Sequence, residues 1–147
     1  KLDALGSVYS ELNGENILVR YCWTADREMI KRKFPKFKSI EQPGAVEDFK
    51  AGRLPGLVTH AKSAGHGLNL QVHCRALVDY SSNFALGEDE QIVERVGPTR
   101  QAQSGFDRDV YRYRLIAKDT VEETAVMPAL KYKMTAQDAL VAAMNGV

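Results

Sequence analysis

Apolar positions follow two different spacings along the chain, and each spacing predicts a different element. Over residues 2–12 apolar side chains recur every three or four positions, which predicts an amphipathic helix that Asn13 and Gly14 end. Residues 17–23 form a mostly apolar run rich in β-branched and aromatic side chains. Such a run is typical of a strand buried on both faces of a parallel sheet.

The same alternation continues toward the carboxyl terminus. Further strands are predicted at residues 37–40, 57–60, 76–80 and 110–116, the last one half-exposed. Helices are predicted at about 25–33, 43–52, 88–96 and 135–144. Another helix is predicted from 119–120 onward, where Thr120 and Glu123 form a capping-box pattern. Residues 97–109 are polar and predict turns. This order predicts an α/β three-layer sandwich around a mainly parallel sheet, with a helical carboxyl-terminal extension.

The amino-acid composition is that of a globular protein, but it does not indicate a function. The chain has 147 residues, of which 44% are hydrophobic and 27% charged, as expected of one globular domain. No apolar run approaches the length of a membrane span. Cys22 and Cys74 form no Cys-x-x-Cys pair, and no secretory signal follows Lys1. We therefore expect buried free thiols, a cytoplasmic location and a fragment of a longer protein.

The net charge of +1 conceals a local basic segment. Residues 20–38 contain seven basic side chains against two acidic ones, a local net charge of +5, with Phe34 and Phe37 interleaved. The segment fits a surface that follows a nucleic-acid backbone, and it equally fits a solvated basic helix face.

The densest chemical signal follows the predicted strand at 57–60. Lys62 and Ser63 precede a Gly-x-Gly pair, Gly65 and Gly67, whose backbone could approach a phosphate closely. The alternative is a plain strand-to-helix turn that uses glycine for positive φ. No glycine in the chain is followed by lysine, so the Walker A pattern that holds a triphosphate is absent.

Two further sets of residues are open to a functional interpretation. His60, His66, His73 and Cys74 match no spacing of a zinc site, so a metal is not expected. Arg95 and Arg100 could stabilise charge on a transferring phosphoryl group, or they could belong to a solvated helix face.

Taken in order, these segments resemble the second RecA-like lobe of superfamily-two helicases, and within them the Swi/Snf-type DNA translocases. Residues 63–70 look like helicase motif V, and Gln91, Arg95, Arg100 and Gln101 look like motif VI. Weaker similarities to the same lobe lie at residues 18–23, 49–52 and 119–123. Pro98 stands where the family has its second motif VI arginine, and Arg100 stands where it has glycine, as in phage or prophage members. Which arginine acts on ATP is left open by this departure.

The resemblance implies a mechanism and a set of site residues. A first lobe, upstream in the same chain, would hold ATP and Mg²⁺, which this fragment alone would not bind tightly. The second lobe would contribute residues that contact the nucleotide, an arginine finger and contacts to DNA, expected to be duplex. The residues implied for the nucleotide are Gly65, Gly67, Asn69 and Gln91, those implied for catalysis are Arg95 and Arg100, and those implied for DNA are His60, Lys62 and Ser63. The alternative is a free-standing α/β binding module that acts through protein or nucleic-acid contacts.

Overall fold

Helices and strands alternate along the chain as the sequence predicts, apart from the predicted helix at 88–96, most of which lies outside the described residues. The computed structural model of the chain describes residues 1–63, 69–83, 90–91, 96–132 and 136–146. The strands are β1 Asn16–Tyr21, β2 Lys38–Ser39, β3 Gly56–His60, β4 Cys74–Asp79 and β5 Tyr111–Arg114. The helices are α1 Leu2–Glu11, α2 Thr24–Lys33, α3 Ala45–Lys50, α4 Pro98–Gln103, α5 Met127–Tyr132 and α6 Ala136–Met144, and a π-helical turn, Glu122–Val126, leads into α5.

The five strands form one parallel sheet in the order β2-β3-β1-β4-β5. β1 lies at the centre, where Leu18 pairs with Leu57 of β3 and with Leu77 of β4. The predicted mainly parallel α/β fold is therefore confirmed. Because all strands run in the same direction, the loops that follow β1, β3 and β4 meet at one edge of the sheet, where ligands bind in open α/β folds.

Each face of the sheet has its own hydrophobic core. On one face α1 and α2 pack over a core that includes Val19, Val58 and Val78. On the other face Phe49 of α3 and Val96 pack over a core that includes Leu57 and Leu77. These two cores on opposite faces produce the three layers of the sandwich.

Three local predictions are wrong or incomplete. Residues 97–109 are not only turns, because Pro98–Gln103 form α4, with proline at the start of the helix where its missing N–H costs nothing. β1 ends at Tyr21, and Trp23 is instead the exposed N-cap residue of α2. In the predicted capping box, the Glu123 carboxylate accepts from the Asp119 amide, while the Thr120 hydroxyl donates to the Ala117 carbonyl.

The predicted half-exposed strand β5 directs its basic residues toward a buried acid. Asp79, the last residue of β4, is completely buried. Its Oδ1 lies 2.7 Å from Nε of Arg20, and its Oδ2 lies 2.8 Å from Nε of Arg112. Nε of Arg114 lies 3.5 Å from the same Oδ2. Arg20 is itself only 2% exposed, so the Asp79 carboxylate of β4 is bonded to a buried guanidinium of β1 and faces two arginines of β5.

Both cysteines are free and buried, as predicted. Burial raises the pKa of the Cys74 thiol to about 12. Among the described residues, the structure has no helix with the length and apolarity that a membrane span requires.

Replacing Asp79 with asparagine is expected to destabilise the fold severely. Asparagine has the same shape but leaves the buried guanidinium of Arg20 without its counter-charge. Breaking a buried pair in this way costs about 3–5 kcal/mol of the free energy of unfolding, measurable by urea denaturation. The matched control is Asp48→Asn, which removes an exposed partner of Arg53 and is expected to cost far less. Equal losses in the two variants would contradict this role of Asp79.

Candidate functional site

Three loops at the carboxyl edge of the sheet are joined by a continuous chain of hydrogen bonds. The Lys62 amide donates to Nδ1 of His60 over 3.0 Å. Nε2 of His60 lies 3.1 Å from the Cys22 carbonyl oxygen, and the Cys22 amide donates to Oγ of Ser81 over 2.8 Å. This chain connects the loop after β3 to the loop after β1 and then to the loop after β4.

These contacts fix the tautomer of His60. Because Nδ1 accepts a hydrogen bond from the Lys62 amide, the ring hydrogen lies on Nε2, which donates to the Cys22 carbonyl. The Tyr21 ring also meets the His60 ring edge-on, with 5.3 Å between centroids. Both ring nitrogens of His60 are therefore engaged within the protein, and the residue positions the loop that carries Lys62.

The predicted motif V residues lie directly after this anchor. Lys62 is exposed and Ser63 is half-buried, and both follow the carboxyl end of β3. Gly65 and Gly67 lie outside the described residues. Asn69 is exposed, and Leu70 beside it is buried in the core on the α3 face, which fixes where the loop re-enters the fold. The structure thus brings His60, Lys62 and Ser63 together.

The predicted motif VI residues are divided between two regions. Gln91 is helical and exposed, and Arg95 lies outside the described residues. Arg100 is half-buried in α4 next to Gln101, which is 1% exposed. The Gln101 side-chain amide donates to the carbonyls of Cys74, over 2.8 Å, and of Val96, over 3.0 Å.

Gln101 therefore fastens α4 to the amino end of β4. Cys74 is the first residue of β4, and Asp79 is the last, five steps along the strand. At about 3.3 Å per residue the two ends are roughly 16 Å apart. The structure does not bring the helix segment around Arg100 to the carboxyl edge where Lys62 lies.

A second polar network, which no sequence pattern predicts, completes this attachment. Nε of Arg108 donates to Oε1 of Gln101 over 2.8 Å, and its Nη2 donates to the Gln71 carbonyl over 2.6 Å. The Gln71 side chain in turn donates to Oγ of Ser104. Gln101 is thus held at both ends of its amide, which is the arrangement of a packing residue.

Glu122 lies in the segment 119–123, which resembles part of the helicase lobe. Its side chain joins three parts of the carboxyl edge. Its carboxylate lies 2.6 Å from Nζ of Lys1 and accepts from the amides of Ser82 and Ala117. Ser82 follows β4 and Ala117 follows β5, so this one side chain holds both loops and the start of the carboxyl-terminal extension in place.

The basic segment at residues 20–38 is only partly available to a partner. Arg20 is buried against Asp79, and Arg27, Lys33 and Lys38 form ion pairs with carboxylates of the protein. The exposed Lys31 and Arg32 lie in the last turn of α2, which begins at the carboxyl edge and leads away from it. Arg112 and Arg114 of β5 likewise face Asp79.

The histidine and cysteine residues that were compared with zinc sites do not form a cluster in the described part of the chain. No group of three or more His, Cys, Asp or Glu side chains there could hold a metal ion. His60 ends β3, whereas His73 and Cys74 lie at the start of β4, at the opposite edge of the sheet.

Comparison with known proteins establishes the fold. No family model matches the chain. Protein p41 of Acyrthosiphon pisum secondary endosymbiont phage 1 is 42% identical over 146 residues, which is 99% of this chain and 32% of that protein. The C-terminal part of the Fun30 ATPase domain superposes with a TM-score of 0.72 at 20% identity, covering 93% of this chain and 46% of that one. The Pyrococcus furiosus Hef helicase domain superposes with a TM-score of 0.61 at 17% identity, covering 87% and 28%. The chain therefore has the RecA-like α/β fold, and it spans about a third of the phage protein that it matches.

The packing role of Gln101 leads to a testable result. Gln101→Ala is expected to lower the free energy of unfolding by about 1–3 kcal/mol, because it leaves buried carbonyls and Nε of Arg108 without their partner. Gln103→Ala, at an exposed position of the same helix, serves as the control and is expected to change stability little. Urea denaturation of both variants checks the difference. An unchanged midpoint for Gln101→Ala would exclude the packing role.

Proposed function

We propose that the chain is the second RecA-like lobe of an ATP-dependent DNA helicase or translocase of the Swi/Snf type. The observation that carries this proposal is the position of the motif V-like segment. It begins at Ser63, directly after β3, at the edge where the loops after β1 and β4 also meet. The RecA-like fold and the likeness to the Fun30 and Hef domains support it.

In this proposal the triphosphate and Mg²⁺ belong to a first lobe in the same protein. No glycine in this chain is followed by lysine, so it lacks the loop that cradles a triphosphate. This lobe instead contributes a positive group to the transition state when the two lobes close over ATP. The charge that develops on the transferring phosphoryl group is what an arginine stabilises.

Arg95 is the arginine that we assign to this role. It occupies the first arginine position of the motif VI pattern. Arg100 lies in α4 next to Gln101. The Gln101 side chain is bonded to the amino end of β4, away from the carboxyl edge. The carbonyl of Val96, the residue after Arg95, accepts from the same Gln101 amide, so the assignment of Arg95 rests on the motif pattern and not on this position.

DNA contact is assigned to the loop after β3. Lys62 is exposed there, and its backbone amide is held by His60. Lys62 and Ser63 present an ammonium group and a hydroxyl, which bind phosphate oxygens without reading sequence. This contact suits a motor that moves along DNA of any sequence.

The assignment of the arginine finger is tested in the two-lobe protein. Arg95→Ala is expected to lower the DNA-stimulated kcat for ATP hydrolysis by about 10³-fold or more, with ATP binding largely retained. Arg100→Ala is expected to retain most of the rate. Steady-state ATPase assays with a fluorescent-nucleotide binding assay check both. The reverse order of effects would transfer the role to Arg100, and robust hydrolysis by the 147-residue chain alone would overturn the two-lobe proposal.

The DNA contact is tested through its dependence on salt. Lys62→Gln is expected to weaken DNA binding and to reduce the slope of log K against log salt by about 1, since one phosphate contact is lost. Arg53→Gln is the matched control, because Arg53 precedes β3 and lies at the opposite edge of the sheet. Fluorescence anisotropy with labelled duplex and single-stranded DNA measures both slopes. An equal loss in the two variants would indicate a diffuse charge effect and not a contact at Lys62.

A further inference from the structure

A cavity of about 500 Å³ opens at the carboxyl edge, between the loops after β1 and β4 and the start of the carboxyl-terminal extension. Its lining includes Trp23, Asp26, Ser82, Asn83 and Val121. The volume falls within the range of small-ligand sites, roughly 300–1,000 Å³. The cavity therefore lies where α/β folds bind ligands, between the loops after β1 and β4.

Trp23 is the first unusual feature of this cavity. It is the only tryptophan in the chain, and it is 60% exposed although it directly follows the buried strand β1. A large aromatic ring that stays in water at the mouth of a cavity offers a flat apolar surface to a ligand. Its position as the N-cap residue of α2 fixes the backbone that carries it.

Asp26 is the second unusual feature. Its Oδ2 is buried, and among the described residues it has no hydrogen-bond partner. A buried carboxylate oxygen without a donor is uncommon, because burial removes the water that would otherwise satisfy it. Tyr80 packs nearby, and burial first, then the negative charge of Asp26, raise the pKa of the Tyr80 hydroxyl. Asp26 and Trp23 line the same cavity, which therefore offers an aromatic face beside a carboxylate.

We propose that this cavity binds an unpaired nucleobase bearing an exocyclic amino group, which stacks on Trp23 and donates a hydrogen bond to Asp26. The inference rests on the proposed function, and it adds that the lobe engages a single-stranded stretch through its bases as well as its phosphates. Stacking on an exposed aromatic residue is a general way to hold single strands. Acidic side chains ordinarily recognise cytosine by accepting a hydrogen bond from its amino group.

The charged side chains of the lining are Lys1, Glu122 and Asp26, of which Lys1 and Glu122 pair with each other. The Asp26 carboxylate is the charge left for a donor, and the proposed DNA-binding role makes a nucleobase amino group the donor to which the proposal commits. Thymine fits less well than cytosine. Its only ring N–H lies between two carbonyl oxygens, which the carboxylate of Asp26 would repel, whereas the cytosine amino group projects freely.

Trp23 provides the signal for a direct test, because the fluorescence of the chain's only tryptophan reports on stacking. Oligo(dC) and oligo(dT) of about 12 nucleotides are titrated into the chain. We expect oligo(dC) to quench the fluorescence and to bind about tenfold more tightly than oligo(dT). Equal affinities, or binding without quenching, would overturn the inference.

Variants separate the two contacts. Trp23→Ala is expected to weaken binding of both oligonucleotides about tenfold or more, measured by anisotropy of labelled DNA, and Trp23→Phe is expected to restore most of it. Asp26→Asn is expected to abolish the preference for dC, since its amide can donate to thymine as well as accept. Tyr132→Ala is the control, because Tyr132 is equally exposed, at 65%, but lines a different cavity.

The outcomes distinguish this inference from the proposed function. Binding that depends on Lys62 but not on Trp23 or Asp26 would overturn the base site alone and leave the DNA-binding lobe intact. Binding to neither oligonucleotide nor duplex would overturn both. Circular dichroism of each variant confirms that a loss of affinity does not come from unfolding.

Discussion

The buried carboxylate of Asp79 is the interaction on which the rest of the sheet depends. Its two oxygens bind Arg20 of β1 and Arg112 of β5, so it joins the central strand to the edge strand across β4. Ionic groups removed from water are tolerated only when each is paired, and that requirement fixes the register of all three strands. The loops after β1 and β4 therefore start from a rigid frame, which the hydrogen bond from Cys22 to Ser81 then extends.

Local periodicity was sufficient to predict most of this architecture. Each of the strands lies within two residues of its predicted position, because buried strands in a parallel sheet are nearly continuous apolar runs. Gly14, Pro35 and Pro55 lie shortly before the first three strands. The loop after β3 was also predicted as a site from its glycines, Lys62 and Ser63, since the carboxyl edge of a parallel sheet is set by topology alone.

What could not be predicted is which polar residues turn inward. Arg20, Arg112 and Arg114 read as surface charges in the sequence, and only strand pairing brings them to Asp79, 59, 33 and 35 positions away along the chain. Gln101 matched a motif by its spacing, but its partners at Cys74, Val96 and Arg108 depend on how α4 folds back over β4. Long-range pairs of this kind leave no periodic signal in the sequence.

The two edges of the sheet use their polar groups differently, although each keeps a buried oxygen without a partner among the described residues, Oε1 of Gln71 at the amino edge and Oδ2 of Asp26 at the carboxyl edge. At the amino edge, Gln101, Arg108 and the ion pair between Glu15 and Arg75 bond protein groups to one another. At the carboxyl edge, bonds made by His60 and Glu122 hold the loops, but the cavity between them keeps an exposed indole and a buried carboxylate oxygen with no donor among the described residues. A fold gains nothing in stability from leaving such groups unpaired. The exposed indole and the Asp26 carboxylate lie at the edge where the motif V-like loop also begins, which is the arrangement on which the proposed base site depends.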